Sequence, residues 1–156
     1  MADHPTFTTR LTWTGQQLPE PVATRTYTTL YEIGPEGKPV VPGAAPPAYG
    51  GDGARYNPED FMLASLTSCH MLTFLAVAAK SRVIVLGYRD TADAALGMKD
   101  GKLRMVDALL RPHVVVGTAE EAGRLGALHE KAHANCFMAN SVNFTVRIEP
   151  TFEVKA

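Results

Sequence analysis

Asn57-Pro58-Glu59-Asp60-Phe61-Met62-Leu63-Ala64-Ser65-Leu66-Thr67-Ser68-Cys69-His70-Met71-Leu72-Thr73-Phe74-Leu75-Ala76-Val77-Ala78-Ala79-Lys80 is the stretch that decides the architecture. It opens as a helix: Asn57 caps free backbone N–H groups, Pro58 fits the first helical position, and Glu59 and Asp60 sit at the positive end of the helix dipole. The spacing predicts a helix to about Lys80 or Ser81, roughly 36 Å long at 1.5 Å per residue. From Phe61 to Ala79 there are 19 residues without Asp, Glu, Lys or Arg, inside the length window of a membrane span. Ser65, Thr67, Ser68, His70 and Thr73 interrupt that apolarity, and the preceding residues read as strand and turn, so a buried core helix is expected.

Phe61, Met62, Leu63, Leu66, Met71, Leu72, Phe74, Leu75 and Val77 fall on all sides of this helix. A sheet covers one side only. The second helix, which starts at Thr118-Ala119-Glu120-Glu121 and runs to about His133–Asn135, carries Glu120, Glu121, Arg124, Glu130 and Lys131. The economical cover for the remaining face is a copy of the same helix in a twofold homodimer.

Around these helices the chain reads as strand. Thr6–Thr14 and Val22–Ile33 are β-branched and aromatic, Gly34-Pro35-Glu36-Gly37 closes a hairpin, and a short strand follows at Pro39–Val41. Pro42–Tyr56 is a loop of Gly, Pro and Ala. Val83–Leu96, Leu103–Val116 and Asn143–Val154 supply three further strands, with a turn at Gly97–Gly101. At 156 residues and 46% hydrophobic the chain is expected to be a single α+β domain over 1–156 that folds without a metal or disulfide staple.

The net charge is −1 and the 15 basic residues are scattered, so no nucleic-acid partner is expected. Met1–Thr6 lacks the basic-then-apolar pattern of a secretory signal, and a cytoplasmic protein with no membrane partner is expected. Tyr49-Gly50-Gly51-Asp52-Gly53 lacks the Lys-Ser/Thr of a phosphate-binding loop, and no serine triad appears.

Two cysteines remain for chemistry. Cys69 lies mid-helix; Cys136 lies just past the second helix in His133-Ala134-Asn135-Cys136-Phe137-Met138-Ala139-Asn140-Ser141. Each could be an inert buried thiol or one half of a redox pair, and their spacing does not decide. His129 and His133 stand at i, i+4 with Cys136 three further on, a face that could hold zinc or simply present surface histidines. With no fourth ligand apparent, no metal and no cofactor are expected.

Asn57-Pro58-Glu59 opening a long apolar helix, Ser68-Cys69-His70-Met71 within it, and a second Cys at a helix end followed by Asn140-Ser141 resemble the OsmC/Ohr family, the osmotically inducible and organic hydroperoxide resistance proteins. The resemblance implies an OsmC-like fold: an intertwined homodimer with two central helices wrapped by β-sheets. It also implies a thiol peroxidase in which Cys69 attacks an organic hydroperoxide and Cys136 resolves the sulfenic acid as a disulfide, with an external dithiol, lipoyl-type or a small thiol, as reductant. Phe61, Met62, Phe74 and Phe137 would line an apolar pocket favouring alkyl or fatty-acid hydroperoxides. The alternative is a non-catalytic stress protein that binds a small lipophilic ligand at the dimer interface.

A thiolate is the nucleophile, and lowering a thiol from about 8.5 to about 6 needs roughly 3.4 kcal/mol of preference for the anion. Burial acts the other way, and the dipole of its own helix has faded at Cys69, some three turns from Asn57. A cation beside Cys69 is therefore expected. His70 points about 100° away from Cys69 and is half-charged only near pH 6.5. The family's arginine lies in the N-terminal sheet, which makes Arg25 the first candidate and Arg10 the second, with Arg55 a further one. Glu59 resembles the family glutamate that pairs with that arginine; alternatively it only stabilises the helix start, worth ~0.3–1 kcal/mol. Being ten residues before Cys69, roughly 15 Å along the helix, it reaches a thiol only on a packed neighbour. Two departures stand out: Cys136-Phe137 replaces the Cys-Pro of strongly active relatives, which would leave the loop free, and Arg55-Tyr56 replaces the glycine-threonine before Asn-Pro-Glu. The Cys-His-Met form resembles a less characterised OsmC-like branch.

Overall fold

The computed structural model describes residues 4–22 and 25–155. Ala23 and Thr24 of the expected second strand, and Met1–Asp3 of the N-terminus, lie outside the described residues. The chain packs as two compact units, Met1–Phe61 and Met62–Ala156.

In the first unit the order is β1 (Arg10–Trp13), β2 (Gln17–Val22), β3 (Arg25–Tyr27), β4 (Tyr31–Gly34) and β5 (Val41–Gly43). β4 lies between β1 and β5, antiparallel to both, while β2 and β3 form their own antiparallel ladder. The expected strand Val22–Ile33 is therefore divided. At Thr28 the chain leaves the ladder to bond backwards: its N–H donates to the Gln16 carbonyl (2.9 Å) and its carbonyl accepts from the Trp13 indole (2.9 Å). The Pro42–Tyr56 loop is ordered by a one-turn 3₁₀ helix at Pro47–Tyr49 and by the Ala44 N–H donating to the Tyr56 carbonyl (2.9 Å). Gly50 closes that turn at φ +70, where a Cβ would also stand 2.8 Å from the Arg25 guanidinium. Glycine meets both demands.

The helix α1 (Pro58–Lys80) begins in the first unit and runs into the second. Its start is a reciprocal cap: Asn57 Oδ1 accepts from the Asp60 N–H (2.9 Å), and Asp60 Oδ2 accepts from the Asn57 N–H (3.0 Å), satisfying donors that a helix leaves open. Its end is a Schellman turn, with the Val83 N–H donating to the Ala78 carbonyl and the Arg82 N–H to the Ala79 carbonyl, both 3.0 Å. Arg82 takes the left-handed position at φ 58, where glycine is usual.

The second unit contains β6 (Val85–Arg89), β7 (Ala92–Lys99), β8 (Lys102–Leu110), β9 (His113–Val116), α2 (Ala119–Ala122), α3 (Leu125–Asn135), α4 (Phe137–Ser141), β10 (Thr145–Ile148) and β11 (Thr151–Val154). The three strands expected here are each present but bent in two. Pro112 and Pro150 cannot donate to a ladder, so β8 gives way to β9 and β10 to β11 at these residues, and β6 to β7 opposite them. Hydrogen bonds continue across the bends, from the Glu149 N–H to Leu110 and from the Thr151 N–H to Pro112, each 2.9 Å. The orders β10-β8-β7 and β11-β9-β6 thus repeat one arrangement. Asp100 and Gly101, at φ 52 and 73, make the two-residue turn whose twist suits the β7–β8 hairpin. β10 runs parallel to β8, and α2–α4 form the crossover that a parallel pair requires.

α1 buries a single stripe, Leu66, His70, Phe74, Val77 and Ala78. Phe74, Val77 and Ala78 pack with Val114 and Val116 of β9 and Leu125, Leu128 and Ala132 of α3; Leu66 packs with Ala108 and Leu110 of β8. On the opposite face Leu72 is 62% exposed. In one chain, then, α1 is covered on one side.

Two core residues are polar. His70 and His129 are 1% and 2% exposed, and His70 Nε2 lies 3.0 Å from His129 Nδ1. Burial, and then the neighbouring His133 and His70 respectively, lowers their pKa values from 6.5 to about 4 and about 3. Both rings are neutral in the folded protein near neutral pH. Because the unfolded chain would take up protons that the folded one refuses, stability is full above pH 6.5 and falls as pH drops from there toward 4. The slope is up to about 1.4 kcal/mol per pH unit per histidine. Thermal melting should show a lower Tm at pH 5 than at pH 7.5 in the wild type and a much smaller difference in the His70→Leu/His129→Leu double variant. An unchanged wild-type Tm over that interval would contradict the assignment.

Candidate active site

Cys69 sits on α1 one residue before His70, half-buried, beside a groove of about 770 Å³. α1 contributes Leu72 and Ala76 to its wall, and the α3–α4 segment contributes Lys131, Phe137 and Met138. Cys136 caps both α3 and α4: its N–H donates to the His133 carbonyl (3.2 Å), and its carbonyl accepts from the Asn140 N–H (3.0 Å). Its own backbone is extended at φ −73, ψ 116, so the chain turns sharply there and restarts as a helix whose first N–H groups have no intrahelical partner.

Those N–H groups find the Cys69 sulfur. Burial is the largest single influence on Cys69 and opposes its ionisation. Against it act the Met138 N–H first, then the Cys136 thiol and the Phe137 N–H, and the Cys69 thiol is held below its ordinary pKa. The Thr73 hydroxyl gives its one proton to the Cys69 carbonyl (2.8 Å). Hydrogen bonds to the charged form favour it. Cys136 is shifted the opposite way. Burial raises its pKa first, and the hydrogen bond and charge of Cys69 raise it further, against donation from the Ala139 and Met138 N–H groups.

The two thiols therefore differ in a chemically useful sense. Cys69, shifted downward, lines the groove. Cys136, 1% exposed, is shifted upward by its burial and by Cys69. Each thiol is among the influences that shift the other, so the two sulfurs are neighbours.

This arrangement corrects the expectation that only a cation could lower the Cys69 pKa. The donors come from a different helix, α4, which the sequence reading missed. Five residues leave no hydrophobic period to detect, and the only sequence cue is the cysteine itself, standing between two stretches of helix-compatible residues. The Cys136-Phe137 departure also acquires a different meaning. The turn is not loose: the Asn140 side-chain amide donates to the Ala134 carbonyl (3.1 Å) and the Ser141 hydroxyl to the Phe137 carbonyl (2.8 Å). Phe137 supplies an N–H that proline does not have.

The remaining candidates are distributed as follows. In the first unit Arg25 donates to the Tyr49 carbonyl (3.0 Å), and its Nε is buried without a partner among the described residues. Glu59 lies beside Tyr31, whose hydroxyl is raised in pKa by burial and then by Glu59 and Asp60. Glu59 Oε2 is buried and likewise unpartnered among the described residues. Arg25 and Glu59 form no ion pair with each other within one chain, among the described residues. Arg10 pairs with Glu36 (2.5 Å) and Arg55 with Asp52 (3.2 Å).

Of the four expected pocket residues, Phe137 lines the groove and is 78% exposed. Phe74 is instead a core residue, fully buried against His129. Phe61 belongs to the first unit and stacks on Tyr56, and Met62 lies on α1, away from the groove lining. His129 is not a surface histidine; its Nδ1 meets His70 rather than a metal-ligand set with Cys136. Among the described residues no three metal-ligating side chains gather.

A family model described as OsmC-like protein matches residues 51–151. No curated protein matches the chain in sequence. Among solved structures, an OsmC-like protein of unknown function from Vibrio cholerae O1 biovar eltor is similar with a TM-score of 0.81 and 31% identity, over 96% of this chain and 99% of that one. An organic hydroperoxide resistance protein from Elizabethkingia anophelis, with crystallant-derived thiocyanate bound, gives 0.72 at 19% identity over 99% and 100%. The organic hydroperoxide resistance protein OhrB of Bacillus subtilis gives 0.62 at 16% over 94% and 98%. The last two share the fold.

A Phe137→Pro substitution tests the role of the turn. Proline suits the first position of α4 but removes one donor to the sulfur, so the Cys69 pKa should rise by roughly one unit. Iodoacetamide alkylation of a Cys136→Ser background at pH 7 should slow accordingly. An unchanged alkylation rate would contradict the hydrogen-bond account.

Proposed function

Because the chain belongs to the OsmC family, we propose that it is a thiol peroxidase that reduces organic hydroperoxides. The observation that carries the proposal is geometric: Cys69 lines one groove with Phe137 and Met138, the two residues that follow the buried Cys136, and the opposite shifts of the two thiols, Cys69 lowered and Cys136 raised, support it. In the reaction, the Cys69 thiolate attacks the distal oxygen of ROOH; an S–O bond forms, the O–O bond breaks, and the leaving alkoxide takes a proton from solvent to become ROH. The Cys136 thiol then condenses with the sulfenic acid, giving a disulfide and water. An external dithiol returns both cysteines to thiols and itself becomes a disulfide. The apolar side chains at the groove, Leu72, Phe137 and Met138, support a preference for alkyl hydroperoxides over hydrogen peroxide. Arg25 and Glu59 belong to the same proposal as charged groups of the first unit; a buried polar atom on each has no partner among the described residues, the state expected of groups completed by substrate or by a second chain.

That second chain is part of the proposal. The exposed Leu72 face of α1 supports a homodimer in which the helix meets its copy. Sedimentation should give twice the 16.8 kDa chain mass, falling to the monomer in Leu72→Glu; a wild-type monomer would contradict it.

The activity is tested with cumene hydroperoxide. One equivalent should remove two hydrogens from the reduced protein, as read by mass spectrometry. Cys136→Ser should abolish that loss, and thiol-dependent turnover should vanish in Cys69→Ser. An unchanged mass would overturn the peroxidase in favour of a protein that only binds a lipophilic ligand in the groove.

A further inference from the structure

The peroxidase reading uses Cys69, Cys136 and the α3–α4 turn, and leaves the buried His70–His129 pair without a role. The pair is an unusual choice for a core. One proton is shared along Nε2···Nδ1 (3.0 Å), while the outer nitrogens, His70 Nδ1 and His129 Nε2, are buried without partners among the described residues. Two apolar side chains would fill the space and leave no unpartnered nitrogen, which is costly in a core. What the histidines add over an apolar pair is direction: a hydrogen bond fixes both a distance and an angle between two helices, whereas apolar packing tolerates sliding.

The location makes that direction matter. His70 follows Cys69 on α1. His129 precedes Cys136 by seven residues, two turns of α3, so the bond links the two helices that bear the sulfurs. The rings are held in place on their faces: His129 is stacked on Phe74 with centroids 4.0 Å apart and near Phe152 at 6.0 Å, and His70 is stacked with His129 at 5.3 Å. A rotation of α1 by one residue, about 100°, would break the bond and swing Cys69 away from the Cys136 thiol and the Phe137 and Met138 N–H groups.

We propose that His70 and His129 are positioning residues, a hydrogen-bonded latch between α1 and α3 that holds the Cys136 thiol in line with an oxidised Cys69. The inference rests on the disulfide chemistry proposed above. The two chemical steps depend on the latch unequally. Formation of the sulfenic acid needs Cys69 and the hydroperoxide. Condensation, in which the S–S bond forms as the S–O bond breaks and water leaves, needs both helices in register, and a displacement of about 1 Å in such a step costs up to 10²-fold.

The experiment is rapid-quench mass spectrometry of the full-length reduced protein with one equivalent of cumene hydroperoxide, with dimedone to trap sulfenic acid, and circular dichroism to verify folding. In the wild type the loss of two hydrogens should follow oxidation closely, with little trapped adduct. In His129→Leu, sulfenic acid should form at a rate within about threefold of wild type while disulfide closure slows roughly 10- to 100-fold, so the adduct accumulates. His129→Asn returns an acceptor to the place of Nδ1, and His70→Gln returns a polar group to the place of Nε2; both should recover most of the closure rate. This rescue separates a directional latch from mere core filling. If His129→Leu closes its disulfide as fast as wild type, or if Asn and Leu behave alike, or if both steps slow together in every variant, the latch is overturned while the peroxidase stands. If the wild type itself loses no hydrogens, the peroxidase falls and the latch with it.

Discussion

The interaction on which the site depends is a convergence of hydrogen bonds on one sulfur. Burial alone would keep Cys69 protonated, and a buried thiol is an inert core residue. The N–H groups of Met138 and Phe137, with the Cys136 thiol, act against it and turn the shift downward. They do so because the chain breaks at Cys136 and restarts as a helix, presenting open donors where a continuous helix would have used them internally. The same break brings the second sulfur to the first. In the proposed peroxidase, nucleophile activation and the supply of a resolving thiol would both follow from one backbone turn.

The rest of the second unit serves to hold that turn against α1. The core cluster of Phe74, Val77 and Ala78 with Leu125, Leu128 and Ala132 fixes α3 on α1, and the parallel pairing of β10 with β8 sets where the crossover must begin and end. Asn140 and Ser141, which bond back to Ala134 and Phe137, stop the turn from unwinding. The groove beside Cys69 is lined in part by Leu72, Phe137 and Met138, while Cys136 is buried.

Much of this was legible in the sequence. The Asn57-Pro58 cap, the apolar run and Lys80 marked α1 within a residue of its observed bounds, and the Cys69 and Cys136 contexts with Asn57-Pro58-Glu59 pointed to the family that the chain matches. The expected turn at Gly97–Gly101 contains the hairpin turn, which the structure narrows to Asp100 and Gly101 because β7 continues to Lys99. Three features were not legible, each for a physical reason. The strand bends at Pro112 and Pro150 leave the alternation of side chains almost intact on both sides. The helix α4 is too short to carry a period. The burial of His129 is set by residues far away in the chain, His70, Phe74 and Phe152, so an i, i+4 histidine spacing reads equally well as a surface or a metal site. The source of the thiol shift was misjudged for a related reason: reasoning along α1 alone considers only that helix's dipole, whereas the donors belong to a segment nearly 70 residues further on.

The most direct test of the account is a titration of the two single-thiol variants by thiolate absorbance. Cys136→Ser retains Cys69, the backbone donors and a hydroxyl in place of the second thiol, and should ionise below an ordinary cysteine. Cys69→Ser retains only the buried Cys136 and should ionise above one. If the order is reversed, or if both variants titrate like a cysteine in water, the turn does not activate Cys69 and the division of labour between the two sulfurs is wrong.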